Sequence, residues 1–313
     1  MNLFSRIAAW LSQIFVTNKV GDWGTAGGEP QFQLQDHNSD PVVYKDAVVT
    51  TPFVEPTPPP PPAVHADPAP FVNGYWRLAR VVKAHAGRTG GAIDPEFVVE
   101  HTTDMHPDDF DALVAAWQRA PATPAQGACA HFLIGRTPEQ GVIQFIPISR
   151  NGNHAGGGGS FVINGKIVHP NLKAVGIETH CAGRLRFKDG VWRWGENDGK
   201  GWVAKGAPIP TNEVEPLAPM QNVYGFHKPT AYQLHMLDLL EADLALTIRL
   251  LTDPGWSVKP NPPDQYPRWV PQLRKGAPVL GHVHLNPTDR EDPGPELCAR
   301  AAKIPWFTKP GNV

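Results

Sequence analysis

Apolar positions along the 313-residue chain fall into three regimes. In the first sixteen residues Leu3, Phe4, Ile7, Leu11, Ile14 and Phe15 recur at helical spacing, with Arg6, Ser12 and Gln13 opposite. That pattern predicts a short amphipathic helix. Residues 18–50 are polar and aperiodic, which predicts an irregular segment. From Phe71 onward, apolar runs and amphipathic stretches alternate. The runs Phe97–Thr103, His131–Gly135, Val142–Ile148, Ala174–His180 and Val279–Leu285 predict buried strands. Three- and four-residue spacing predicts a helix over Asp108–Arg119, with Phe110, Leu113, Val114 and Trp117 on one face. It predicts a second over Ala231–Leu251, carrying Leu234, Leu237, Leu240, Leu244, Ile248 and Leu251, and a third over Pro295–Ala302. Interleaved strands and helices define an α/β domain, a central mixed β-sheet flanked by helices.

Two stretches interrupt this pattern. Gly156–Gly159 is a run of four glycines, backbone with a maximal ordering cost, expected as a lip of the site or a surface loop. Between residues 183 and 225, Gly190–Trp194 and Gly201–Val203 are expected to form an inserted hairpin turning over Gly195–Gly199. Its Trp192, Trp194 and Trp202 have two readings, stacking on sugar rings or packing onto the sheet. Tyr224–Pro229 is expected to form a further wall of the site.

Composition sharpens the domain boundaries. Gly and Pro number 30 and 35, well above the roughly 12% that the two together usually reach. Nine of the nineteen residues from Pro52 to Pro70 are proline, five of them consecutive, which predicts a stiff polyproline spacer. The chain therefore divides into residues 1–50 (helix and irregular segment), a linker over 51–70, and a domain over 71–313. A formal charge of −2 lacks the basic surplus of a general nucleic-acid binder. No run of about 18 apolar residues exists to cross a membrane as a helix. Ser12 and Gln13 interrupt the first apolar stretch and no small-residue cleavage site follows, so no signal peptide is read. The product is expected in the cytoplasm as synthesised, or exported by a non-classical route. Residues 1–16 are read either as a helix for a membrane surface or partner, or as one packed on its own protein. Cys129, Cys181 and Cys298 are too few and odd in number for a disulfide framework and are expected as buried thiols.

The candidate chemistry lies at strand ends. His101 closes the run Phe97-Val98-Val99-Glu100. His282 and His284 lie in Gly281–Leu285, and Asp292 follows in the turn Arg290-Glu291-Asp292-Pro293-Gly294-Pro295. Two histidines and a carboxylate from distant segments are what an open zinc site uses, three protein ligands with a fourth position free. Taken singly, each is more often a surface or satisfied core residue.

Five segments in order carry a resemblance. They are FVVEHTT (Phe97–Thr103), AHFLI with GVIQFIP (Ala130–Ile134 and Gly141–Pro147), His154-Ala155-Gly156, VGIE (Val175–Glu178), and GHVHLNPTDREDPGP (Gly281–Pro295). Together they resemble the zinc-dependent N-acetylmuramoyl-L-alanine amidases of the type-2 amidase and peptidoglycan-recognition-protein superfamily. AHFLI and VGIE look most like the branch that includes the cytoplasmic wall-recycling amidases. The resemblance implies one zinc per chain held by His101, His282 and Asp292, with Glu178 as catalytic carboxylate. It implies Arg290 in place of the family's oxyanion-steadying Lys, and His154 as a contact for a peptidoglycan or muropeptide substrate. Glu100 stays an alternative to His101, because family strands often read His-His-Thr, and His284 an alternative to His282. Ala130 stands where some members carry a catalytic Tyr. The implied reaction is hydrolysis of the amide between N-acetylmuramic acid and L-alanine. Two rival readings are a peptidoglycan-binding module that does not cut, and an amide hydrolase of this fold with another substrate.

Overall fold

The computed structural model describes residues 69–122, 127–155, 161–163, 166–197, 201–217, 224–248, 257–258, 279–285 and 291–303. The N-terminal helix, nearly all of the Pro-rich linker, the Gly156–Gly159 run and Arg290 lie outside the described residues. The strands in chain order are β1 (Phe71–Val72), β2 (Tyr75–Trp76), β3 (Arg80–Val81), β4 (Thr89–Ala92), β5 (Phe97–Thr102), β6 (Phe132–Ile134), β7 (Val142–Gln144), β8 (Arg150–Gly152), β9 (Phe161–Ile163), β10 (Lys166–Val168) and β11 (Ala174–Thr179). They continue with β12 (Arg184–Lys188), β13 (Val191–Asn197), β14 (Trp202–Ile209), β15 (Val214–Pro216), β16 (Tyr224–His227), β17 (Ser257–Val258) and β18 (Val279–Gly281). The helices are α1 (Phe110–Trp117), α2 (Ala231–Thr247), the single turn α3 (His282–Leu285) and α4 (Pro295–Lys303).

The centre is a six-stranded mixed sheet in the order β18-β5-β11-β6-β7-β3. β18, β5, β11 and β6 run parallel, and β7 reverses against β6. β5 and β11 are buried along nearly their whole length, as strands covered on both faces must be. Their alternation sorts side chains between two layers. Val98, Val175, Ile177, Phe132, Ile134 and Val279 pack beneath Leu237, Leu240 and Leu244 of α2 and Leu297 and Ala301 of α4. Leu133 and Ile143 face the opposite side and pack with Phe110, Leu113, Val114 and Trp117 of α1. α2 starts where Thr230 and Gln233 form a reciprocal capping box, which satisfies two backbone donors that the first turn leaves unpaired.

Two expected elements take a different form. The run Val279–Leu285, predicted as one strand, ends as a strand at Gly281 and turns into α3. A short apolar run cannot tell a strand from a buried helical turn. Here local hydrogen bonds decide: the Gly281 N–H donates to His284 Nδ1 (2.9 Å) and the Val283 N–H to the Asp292 carbonyl (2.8 Å). His282 and His284 therefore do not project side by side from one strand.

The expected hairpin is part of a five-stranded antiparallel sheet, β14-β13-β12-β16-β15. Gly195, expected in its turn, lies within β13 opposite Ala204. It is a packing gap, because a Cβ there would come within 2.7 Å of the Trp202 ring. Trp192 and Trp194 are buried with Leu185, Ile209 and Val214 in a small core of this sheet. They have taken the packing role, and of the three tryptophans only Trp202 is half-exposed. Glu213 fastens the sheet to the domain, accepting hydrogen bonds from Arg136 Nη2 (2.6 Å) and His227 Nε2 (3.1 Å).

Candidate metal centre

The C-terminal ends of the parallel strands β5, β11 and β18 converge, the place where open α/β sheets present their sites. His101 is the fifth residue of β5 and Glu178 is its register partner on β11. Parallel register partners share a face of the sheet, so both project into the α1-side layer. Glu100 projects the other way. It is fully buried under α2 and α4, where Arg300 Nη1 donates to it at 2.7 Å. Burial, and then the charge of Glu241, push its carboxyl well above the usual range, against the pull of Arg300. The pleat thus separates the two residues that the sequence left as alternatives: His101 faces the other candidate ligands and Glu100 does not.

His282 begins α3 directly after β18. Asp292 is held beside it, because its carbonyl accepts the Val283 N–H and the Glu291 carbonyl accepts the Gly294 N–H (3.1 Å). His101 Nδ1, His282 Nδ1 and Asp292 Oδ2 form a nearly equilateral triangle, with edges of 3.1, 3.1 and 3.2 Å. These three residues form the potential metal-holding group among the described residues. Burial would raise the Asp292 carboxyl, but the imidazoles of His282 and His101 packed against it hold it well below the usual range. His284 has turned away, its Nδ1 engaged by the Gly281 N–H.

The residues present fit a zinc ion. Zinc–nitrogen and zinc–oxygen bonds of about 2.0–2.2 Å in a tetrahedron set ligand atoms about 3.3–3.5 Å apart, close to the edges found here. The donor chemistry agrees. His282 Nε2 donates to the Ala155 carbonyl (3.3 Å), which leaves the Nδ1 lone pair pointing into the triangle. A lone pair, a carboxylate oxygen and a second imidazole nitrogen packed this closely need a proton or a cation between them.

The His-Ala-Gly element braces both histidines. His154, expected to contact substrate, is buried, and its Nδ1 lies 3.0 Å from His101 Nε2. The next residue supplies the carbonyl that holds His282. Both backbone N–H groups, of His154 and Ala155, donate to Asn171 Oδ1 (3.3 and 2.8 Å). The His154 ring lies over Gly176 of β11, where a Cβ would come within 2.4 Å of it, so only glycine leaves room at the second position of VGIE. Behind it His131 accepts the Gly176 N–H on Nδ1 (3.0 Å) and donates Nε2–H to the Arg150 carbonyl (2.8 Å). That tautomer is neutral, and burial lowers the His131 pKa to about 4. Burial and the adjacent imidazoles likewise push His154 well below its ordinary value.

Sequence reasoning passed over Arg184 and Glu291. Glu291 precedes Asp292, and both of its carboxylate oxygens accept from Arg184 Nη1 (2.7 and 2.8 Å). The signal was present: Arg184, Arg186 and Lys188 alternate in one strand and so share one face.

No protein-family model matches the chain, and no curated protein sequence matches it. Among solved structures it is similar to a selenomethionine derivative of AmpD, at 17% identity and a TM-score of 0.40, over 74% of this chain and 97% of that one. It is similar to AmiD from E. coli, an N-acetylmuramyl-L-alanine amidase in complex with anhydro-N-acetylmuramic acid-L-Ala-D-γ-Glu-L-Lys, at 17% identity and a TM-score of 0.38, over 70% of this chain and 60% of that one. It is also similar to AmpDH3 from Pseudomonas aeruginosa, at 17% identity and a TM-score of 0.35, over 67% of this chain and 60% of that one. Likeness of this degree does not define an activity.

Proposed function

We infer that the chain is a zinc-dependent amidase of peptidoglycan, hydrolysing the amide between N-acetylmuramic acid and L-alanine. The observation that carries this reading is the convergence of His101, His282 and Asp292 with Glu178 in register beside His101. The five sequence segments that resemble the type-2 amidases supply these four residues in the order the resemblance requires.

His101, His282 and Asp292 would hold the ion, and zinc in such a site supplies Lewis-acid chemistry and lowers the pKa of water. Asp292 contributes the single negative charge of the donor set. The half-buried Glu178 carboxylate accepts a proton from the attacking water and delivers it to the departing L-alanine nitrogen. Arg290, carried over from the resemblance, places a cation where negative charge develops on the scissile carbonyl. His154, expected to contact substrate, also acts as a positioning residue through His101.

The test is mass spectrometry of muropeptides incubated with the full chain and with Glu178→Ala. Wild type should release stem peptide and bind about one zinc. The variant should keep the metal and lose about 10²–10⁴ of the rate. Equal rates for the two would sink the mechanism, and wild type that binds sacculi but frees no peptide would establish the non-cutting module instead.

A further inference from the structure

The outer face of the five-stranded sheet carries charge that the fold does not use. Arg186 on β12 sits directly opposite Arg193 on β13 and Tyr224 on β16. Like charges facing each other across strands are destabilising. Arg186, Lys188 and Arg193 form no ion pair among the described residues, in a chain whose net charge is −2. Glu215 shares this face, across β16 from Arg184.

Aromatic rings interleave with the guanidinium groups. The Arg186 guanidinium lies 5.1 Å from the Trp202 ring centre and 5.3 Å from that of Tyr224, and the Arg184 guanidinium lies 5.1 Å from that of Tyr224. Arg184 then pairs with Glu291, the neighbour of Asp292. The row Trp202–Arg186–Tyr224–Arg184 therefore runs from the end of the inserted sheet to the edge of the metal centre. The Trp202 ring packs against Gly195, and the residue is half-exposed.

We propose that this row binds the peptidoglycan strand beyond the scissile amide, with stem-peptide carboxylates on Arg186 and Arg193 and a sugar ring on Trp202. The proposal rests on the amidase reading and deepens it: the substrate is the polymeric wall rather than a free fragment. Charge complementarity selects this occupant. Stem peptides place carboxylates at regular intervals along a glycan, guanidinium groups bind carboxylates as planar pairs, and indole faces take flat, partly apolar rings. The contiguity of the row with Asp292 lets one strand occupy both regions.

The experiment is co-sedimentation of the full chain with purified sacculi freed of attached polymers, in a Glu178→Gln background that keeps the wall intact. Arg186→Gln and Trp202→Ala should each weaken binding at least fivefold. Arg186→Lys should recover part of the loss, and wild-type binding should fall as salt rises. The half-buried Arg193→Gln should weaken binding as well, and thermal midpoints of all the variants separate lost binding from lost folding. Folded variants that sediment like the parent overturn the proposal. Binding to polyglutamate beads as tight as to sacculi, unaffected by Trp202→Ala, also overturns it, because any polyanion would then do. Release of peptide from a soluble muropeptide by wild type tests the amidase reading separately. No release with variant-sensitive sacculus binding overturns that reading and leaves the surface standing, and the reverse pattern does the opposite.

Discussion

His154 acts at a distance of one side chain from the proposed ion, and its effect should be read in metal affinity. Its Nδ1 fixes the ring of His101, and Gly176 leaves the space for it to do so. Groups that orient metal ligands from behind typically contribute 10- to 100-fold in affinity. His154→Ala and Gly176→Ala are therefore each expected to weaken zinc binding by about that factor, measured by competition with a chromogenic chelator. Affinity equal to wild type in both would remove the positioning role. The same site shows what one residue of sequence can and cannot tell. His101, His282 and Asp292 were legible as candidates from residue type and order. The choice of His101 over Glu100 was not, because it depends on which face of β5 meets α1 and which meets α4.

Between elements, Arg300 of α4 carries the load on the far face of the sheet. It donates to Glu100 of β5, Glu241 of α2 and the exposed Asp238. Removing one partner from such a buried group leaves charge uncompensated, so Arg300→Met is expected to cost about 3–5 kcal/mol in urea unfolding. Glu100 is different because burial and the neighbouring Glu241 favour its protonated form. Its folded pKa lies above its unfolded value. The associated stability is present below the unfolded pKa of the carboxyl and is lost as pH rises through the folded one. Glu100→Gln keeps the neutral shape and should match or exceed wild type at pH 8. A variant markedly weaker than wild type at that pH would mean that Glu100 is ionised in the fold. In the inserted sheet, Trp192→Ala should cost about 3–5 kcal/mol of local stability, seen as early loss of hydrogen-exchange protection over β12–β14. Unchanged protection there would mean that Trp192 is not part of that core. The helices and central strands were legible within a few residues from their periodicity. The turn at His282 was not, since it is set by hydrogen bonds to Asp292 and His284 rather than by its own pattern.

Over the whole molecule, buried neutral imidazoles set the acid limit. Burial is the first cause that lowers His131, His180 and His227, each to about 4. Their folded pKa values lie below the unfolded value, so unfolding takes up protons as pH falls. Stability should decline from about pH 6.5 toward pH 4, by up to ~1.4 kcal/mol per pH unit for each histidine. Urea midpoints across that range would test this, and a flat profile would refute it. Each of the three closes a tertiary contact: His131 joins β8 to β11, His180 reaches the Pro107 carbonyl, and His227 meets Glu213.

The sequence alone was sufficient for the α/β class, the strands and helices of the core, the linker's composition and the small set of residues able to hold a metal. These follow from local periodicity and side-chain chemistry, which need no partner to be read. The tertiary structure decided what depends on distant neighbours. It directed His101 into the centre and Glu100 out of it, and it drew His154 and Ala155 behind the two candidate histidine ligands. It also buried Trp192 and Trp194 while leaving Trp202 beside Arg186. Each of these outcomes turns on which surface a side chain meets, and only the packing of sheet against helix and sheet against sheet sets that.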